Sequence, residues 1–157
     1  MTVAEKLVEL LKAQGLTCAT AESCTGGGVG SAITAVPGSS AVFAGGVISY
    51  ANEVKRDVLG VAAQALDRFG AVSPEVAAQM AAGVRRLLKV DLAVSLTGIA
   101  GPDGGSDEKP VGLVWFGLAT KDGVRTEKAI FRGDRAQIRA QAVTHALGML
   151  TVASLVP

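Results

Sequence analysis

Ser23 stands where an apolar run, Leu16 to Ala21, gives way to Cys24-Thr25-Gly26-Gly27-Gly28. A serine hydroxyl is a weak nucleophile and needs a base, together with a site for the negative charge that forms on the substrate. A strand that runs through a small polar residue and glycines into a helix supplies the second need, because the turn carries unpaired main-chain N–H groups. The same groups can bind an anion such as phosphate. The turn therefore predicts a phosphate site, a serine nucleophile or both. Ser23 or Thr25 reads equally well as a plain N-cap of the following helix. Cys24 reads as a small buried residue or as a rival nucleophile, a thiol at a helix start.

The base has few candidates. The chain holds one His, so a Ser-His-Asp triad or a His-rich metal site is poorly supplied. Tyr50, at the end of the apolar run Val42 to Tyr50, and Lys55 remain. A neutral lysine can take the serine proton directly, or a tyrosine can relay it. Either route requires a depressed lysine pKa, by desolvation or a neighbouring cation. Moving it from about 10.4 to about 7.5 costs roughly 4 kcal/mol of interaction with the ammonium form, which demands a largely closed pocket. Thr97 and the Gly98 amide, after the run Leu92 to Leu96, could fix a substrate amide or carbonyl. Taken singly, Tyr50 reads as a core-edge residue and Lys55 as a solvated helix charge. Arg135 and Arg139 read as surface residues unless they reach an anion.

The elements that would position these groups follow from periodicity. Thr2-Val3-Ala4-Glu5 starts a helix in capping-box style, with Ala4, Leu7, Val8 and Leu11 on one face and Gly15 as its end. A strand over Leu16 to Ala21, a small-residue helix over Thr25 to Ala35 and a strand over Val42 to Tyr50 come next. Short helices over Asn52 to Leu59 and Ala62 to Arg68 precede a longer one that starts at Ser73-Pro74. A buried-type strand over Leu92 to Leu96 leads into a glycine-rich loop. Strands over Val111 to Ala119 and Val124 to Phe131 flank a tight turn at Asp122-Gly123, and Asp134 to Ala153 is the last helix. This alternation predicts an α/β fold, a three-layer α/β/α sandwich with a mixed, mostly parallel five-stranded sheet. In such sheets ligands bind beyond the carboxyl ends of parallel strands, where Ser23, Tyr50 and Thr97 all fall.

Composition narrows the class. The 157 residues suffice for one domain with a real core, and 49% hydrophobic against 18% charged residues argues against disorder. A net charge of +1 with dispersed Lys and Arg, and only 4% aromatics, leaves no nucleic-acid footprint. Two cysteines are too few for a disulfide framework. Glu5, Lys6 and Glu9 interrupt any signal-peptide core, and no run is long enough for a membrane helix. A cytoplasmic protein without metal is expected. Small apolar residues between Ala62 and Ala82 leave room for a homodimer or higher homo-oligomer.

The motifs together resemble a known family. Ala21-Glu22-Ser23-Cys24-Thr25-Gly26-Gly27, Gly46-Val47-Ile48-Ser49-Tyr50-Ala51-Asn52 with Lys55, and Gly70-Ala71-Val72-Ser73 run in order. Thr97-Gly98-Ile99-Ala100-Gly101-Pro102, Lys109-Pro110-Val111-Gly112 and Gly133-Asp134-Arg135 follow. The set is similar to the C-terminal domain of the competence-damage-inducible CinA proteins, whose enzymatic members are nicotinamide-nucleotide amidohydrolases. The resemblance implies hydrolysis of the carboxamide of nicotinamide mononucleotide to nicotinic acid mononucleotide and ammonia, with no metal or organic cofactor. It implies catalytic roles for Ser23, Tyr50 and Lys55 and a substrate role for Thr97; the backbone amides of Cys24, Thr25 and Gly26 and that near Gly98 would then hold the oxyanion. Arg135, or failing it Arg139, would contact the phosphate. Gly28-Val29-Gly30 departs from the bulkier apolar residues expected there. The alternative is a non-catalytic pyridine-nucleotide-binding or regulatory module.

Overall fold

The computed structural model of the chain describes residues 1–155. Helix α1 (Val3–Gln14) is capped by the Thr2 hydroxyl, which accepts from the Glu5 N–H, and ends at Gly15 in the left-handed region. Strand β1 (Cys18–Glu22), helix α2 (Gly28–Thr34) and strand β2 (Phe43–Ile48) follow. Helices α3 (Asn52–Asp57), α4 (Ala63–Phe69) and α5 (Pro74–Leu88) lead to β3 (Leu92–Gly98). The hairpin β4 (Leu113–Thr120) and β5 (Gly123–Ile130) precedes α6 (Arg135–Leu155). The turn between these two strands is Lys121-Asp122, one residue earlier than expected, and Gly123 already pairs with Thr120.

The sheet has five strands in the order β2-β1-β3-β4-β5. β1 pairs parallel with both β2 and β3, whereas β4 is antiparallel to β3 and to β5. One strand thus opposes the other four in direction, as the hairpin required. Leu7, Leu11, Val29, Ile33, Leu96, Phe116 and Leu150 join α1, α2 and α6 to one sheet face. Leu59, Val76, Met80 and Val84 pack the helices between β2 and β3 against Ala19, Ala21 and Ala93 on the other. Much of the apolar stripe between Ala62 and Ala82 is therefore internal, with Val76, Ala77, Met80 and Ala81 each 0% exposed.

The chain leaves β1 through α2 on one face and returns to β3 through α5 on the other. The two crossovers diverge between β1 and β3, and this divergence opens a crevice at the carboxyl ends of those strands. Gly28 serves the same layer: a Cβ there would lie 2.8 Å from Val143 Cγ2, so its absence lets α2 approach α6. That close approach accounts for one of the small residues that depart from the family pattern. Asp134 and Gln137 form a reciprocal box at the start of α6, each side chain accepting from the other's N–H, at 2.9 and 2.8 Å. Among the described residues no helix is long and apolar enough to cross a membrane.

Candidate active site

The carboxyl ends of β2, β1 and β3 lie side by side and bring together residues far apart in sequence. Ser23, Cys24, Tyr50, Asn52, Lys55, Ala71, Val72, Thr97, Gly98, Ala100 and Arg135 line a cleft of about 190 Å³. Thr25, Gly26 and Arg139 are not among the residues that line it.

β1 runs one residue beyond the expected end, because Ser49 N–H donates to the Glu22 carbonyl at 2.7 Å and Ser23 N–H to the Leu96 carbonyl at 3.1 Å. Ser23 is thereby fixed against both neighbouring strands. The next helix starts three residues later than expected. Gly26 N–H donates to the Ser23 carbonyl and Gly28 N–H to the Thr25 carbonyl, which makes a turn of this segment. Gly27 has φ 101°, a left-handed value that ends any helix there and that a side chain resists.

Neither Ser23 nor Thr25 is the N-cap of α2, since Gly27 occupies that position. The cap comes from Glu22, which the sequence reading passed over. Its carboxylate, 1% exposed, accepts from Val29 N–H at 2.8 Å and Gly30 N–H at 3.0 Å. It also accepts from the Thr25 hydroxyl at 2.7 Å. The amide tip of α2, expected to be open to a substrate anion, is thus already filled by an internal carboxylate. The Cys24, Thr25 and Gly27 N–H groups of this turn have no hydrogen-bond partner among the described residues.

Lys55 projects from α3 into the site and is 1% exposed. Its Nζ lies 3.1 Å from Ser23 Oγ, 2.7 Å from the Ser49 carbonyl and 3.0 Å from the Tyr50 carbonyl. β2 ends at Ile48, two residues short of the expected boundary, and these two carbonyls are free to turn toward the amine. Carbonyls only accept, so two Lys55 N–H groups point to them, and the third position on Nζ, an N–H of the ammonium or the lone pair of the neutral amine, faces the serine hydroxyl. Burial lowers the Lys55 pKa from its ordinary 10.5, with charge on Cys24 working in the opposite direction. Tyr50 contributes this carbonyl, while its side chain is 65% exposed at the cleft mouth.

Cys24 is nearly buried, and burial pushes its thiol up to about 11. A thiol of that pKa holds little thiolate at neutral pH, which counts against it as nucleophile. The Thr97 hydroxyl donates to the Ala71 carbonyl at 2.9 Å and so holds the 70–73 segment as one cleft wall. Arg139 donates from Nε to the Cys24 carbonyl at 3.0 Å and from Nη2 to the Thr25 carbonyl at 3.2 Å. Arg135 donates from Nη1 to the Gly101 carbonyl at 2.8 Å and lines the cleft. The two arginines, one helical turn apart, thus do different things. Among the described residues no group of three or more His, Cys, Asp or Glu could hold a metal ion.

A nicotinamide-nucleotide amidohydrolase, PncC of Escherichia coli, is 49% identical over 151 residues, covering 96% of this chain and 92% of that protein. A competence-damage inducible relative from Halothermothrix orenii is 57% identical over 136 residues, covering 86% of this chain but 33% of its own length. The chain thus spans about a third of that longer relative. The crystal structure of the competence/damage inducible protein CihA from Agrobacterium tumefaciens superposes with a TM-score of 0.93 at 44% identity, covering 97% of this chain and 93% of that one. The family model of the CinA C-terminal domain matches residues 1–153, and the chain belongs to that family.

Proposed function

We propose that the protein hydrolyses the carboxamide of nicotinamide mononucleotide, releasing ammonia and nicotinic acid mononucleotide. The observation that carries the reading is the buried Lys55 Nζ, 3.1 Å from Ser23 Oγ with its other partners main-chain carbonyls. Its likeness to the Escherichia coli amidohydrolase supplies the substrate. The cleft, at about 190 Å³, is smaller than the roughly 300 Å³ at the low end of sites for drug-sized ligands. It suits a pyridine ring with its amide and leaves the ribose phosphate at the mouth, where Arg135 can offer a bidentate contact.

In this mechanism Ser23 Oγ attacks the amide carbon while its proton passes to neutral Lys55. The carbonyl oxygen becomes an oxyanion that the Cys24 and Thr25 N–H groups receive. Lys55 returns the proton to the leaving nitrogen, the C–N bond breaks and ammonia departs. Water then attacks the Ser23 ester, gives its proton to Lys55 and releases the carboxylic acid, with the Ser23 proton restored from Lys55. Lys55 acts directly in this scheme, and Tyr50 contributes through its carbonyl.

The test is ammonia release from nicotinamide mononucleotide by the purified protein without added metal, with the acid product followed by chromatography. Stoichiometric appearance of both products is expected. Tight binding of the nucleotide with no turnover would overturn the reading in favour of a pyridine-nucleotide-binding module.

A further inference from the structure

Glu22 lies outside the cleft lining, yet its side chain touches the strand, the turn and the helix that flank Ser23 in sequence. It is the last residue of β1 and the neighbour of Ser23. One carboxylate oxygen accepts from the Thr25 hydroxyl at 2.7 Å and Val29 N–H at 2.8 Å. The other accepts from Gly30 N–H at 3.0 Å and the Thr20 hydroxyl at 3.3 Å. One buried side chain thereby links the strand before Ser23, the turn after it and the first turn of α2.

Resting on the reading of Ser23 as nucleophile, we infer that Glu22 is the positioning residue of the serine turn. Its carboxylate holds Thr25 and the start of α2 so that Ser23 Oγ stays within reach of Lys55 and the Cys24 and Thr25 N–H groups stay open. The chemistry of the cap requires a carboxylate. Four donors converge on two oxygens, and a carboxylate offers about four acceptor sites and no donor. An amide in its place must set its NH2 against the N–H of either Val29 or Gly30, and neither can rotate away. A shorter carboxylate loses the reach to α2. By filling the α2 terminus, Glu22 also leaves the turn N–H groups as the nearest donors for a developing oxyanion.

The experiment compares Glu22→Gln with the wild type in two assays, each normalised to folded protein by a denaturant melt. The first is the rate at which Ser23 reacts with a fluorophosphonate, which an activated serine attacks with loss of fluoride. The second is kcat and KM for nicotinamide mononucleotide. Glu22→Gln is expected to slow both phosphonylation and kcat by about 10- to 100-fold, with KM little changed, the scale of a nucleophile displaced by about an ångström. Thr25→Val, which removes one donor and keeps both amide bonds to Glu22, is expected to show a smaller loss of the same kind and covers the case in which Glu22→Gln fails to fold. Val8→Ala, a core change in α1 remote from the cleft, keeps the wild-type rate per folded molecule. Wild-type rates per folded molecule in Glu22→Gln, or in Thr25→Val if only that variant folds, would overturn the inference. Slowed phosphonylation in a series whose wild type releases no ammonia supports Glu22's role and overturns only the substrate. A wild type that resists phosphonylation overturns both.

Discussion

Arg139→Leu is expected to lower turnover about 100- to 1,000-fold with little change in KM, the scale of losing one aligned oxyanion donor. The guanidinium grips two successive carbonyls, Cys24 at 3.0 Å and Thr25 at 3.2 Å. In a trans peptide the carbonyl and the following N–H point in opposite directions. Holding the Cys24 carbonyl toward Arg139 therefore aims the Thr25 N–H away from it. Each hydrogen bond from a charged donor contributes about 1.5–3 kcal/mol net, enough for the pair to fix that plane. Loss of an oxyanion donor corresponds to about 3–4 kcal/mol of barrier. Lysine in its place presents a point charge instead of a fork and should recover only part of the loss. The assay is steady-state kinetics on nicotinamide mononucleotide and on nicotinamide riboside, which carries the same amide without the phosphate. The kcat values for both should fall by the same factor. A rise in KM for the phosphorylated substrate alone, with kcat unchanged, would make Arg139 a phosphate ligand and refute the reasoning.

Three further outcomes follow from the same geometry. The acylation rate should fall as pH drops through the depressed Lys55 pKa, because the protonated amine cannot accept the serine proton; a flat pre-steady-state profile from mildly acidic to alkaline pH would count against Lys55 as base. Folding lowers the Lys55 pKa, so the unfolded chain binds more protons between the lowered value and the ordinary 10.5. Stability contributed at this site should therefore rise with pH through that window, and urea melts of Lys55→Met should lose that slope. Cys24→Ala should keep at least half of the wild-type kcat, since burial holds the thiol near 11; loss of turnover with the fold intact would restore the thiol as nucleophile.

Much of the architecture was legible because period and punctuation agreed. Thr2, Gly15 and Ser73 mark helix ends, and alternating helices and strands force a parallel core sheet. Two of the boundaries that moved lie at the cleft, where main-chain atoms make the contacts. The expected helix began at Thr25 although its glycines lower helix propensity, and the left-handed Gly27 and the bonds to Glu22 make a turn of Thr25 to Gly27 instead. Strand periodicity carried β2 to Tyr50, whereas the Ser49 and Tyr50 carbonyls turn to Lys55. Residue type speaks for side chains, so the sequence pointed to the Tyr50 hydroxyl while the contact to Lys55 is made by its backbone. Glu22 escaped notice because a carboxylate ending a strand carries no signal of burial; its spacing of three to Thr25 and of seven and eight to the α2 amides is the trace it leaves. Arg135 and Arg139 share a helical face, and only the tertiary placement of α6 separates the one at the cleft from the one behind the turn.

The central claim is that Ser23 is the nucleophile of an amidohydrolase. The most direct measurement is single-turnover ammonia release from nicotinamide mononucleotide by wild type and Ser23→Ala, with nucleotide binding measured by calorimetry on both. The account predicts release by the wild type, release no faster than background by the variant, and comparable nucleotide affinity in the two. Ammonia release by Ser23→Ala at the wild-type rate would contradict it.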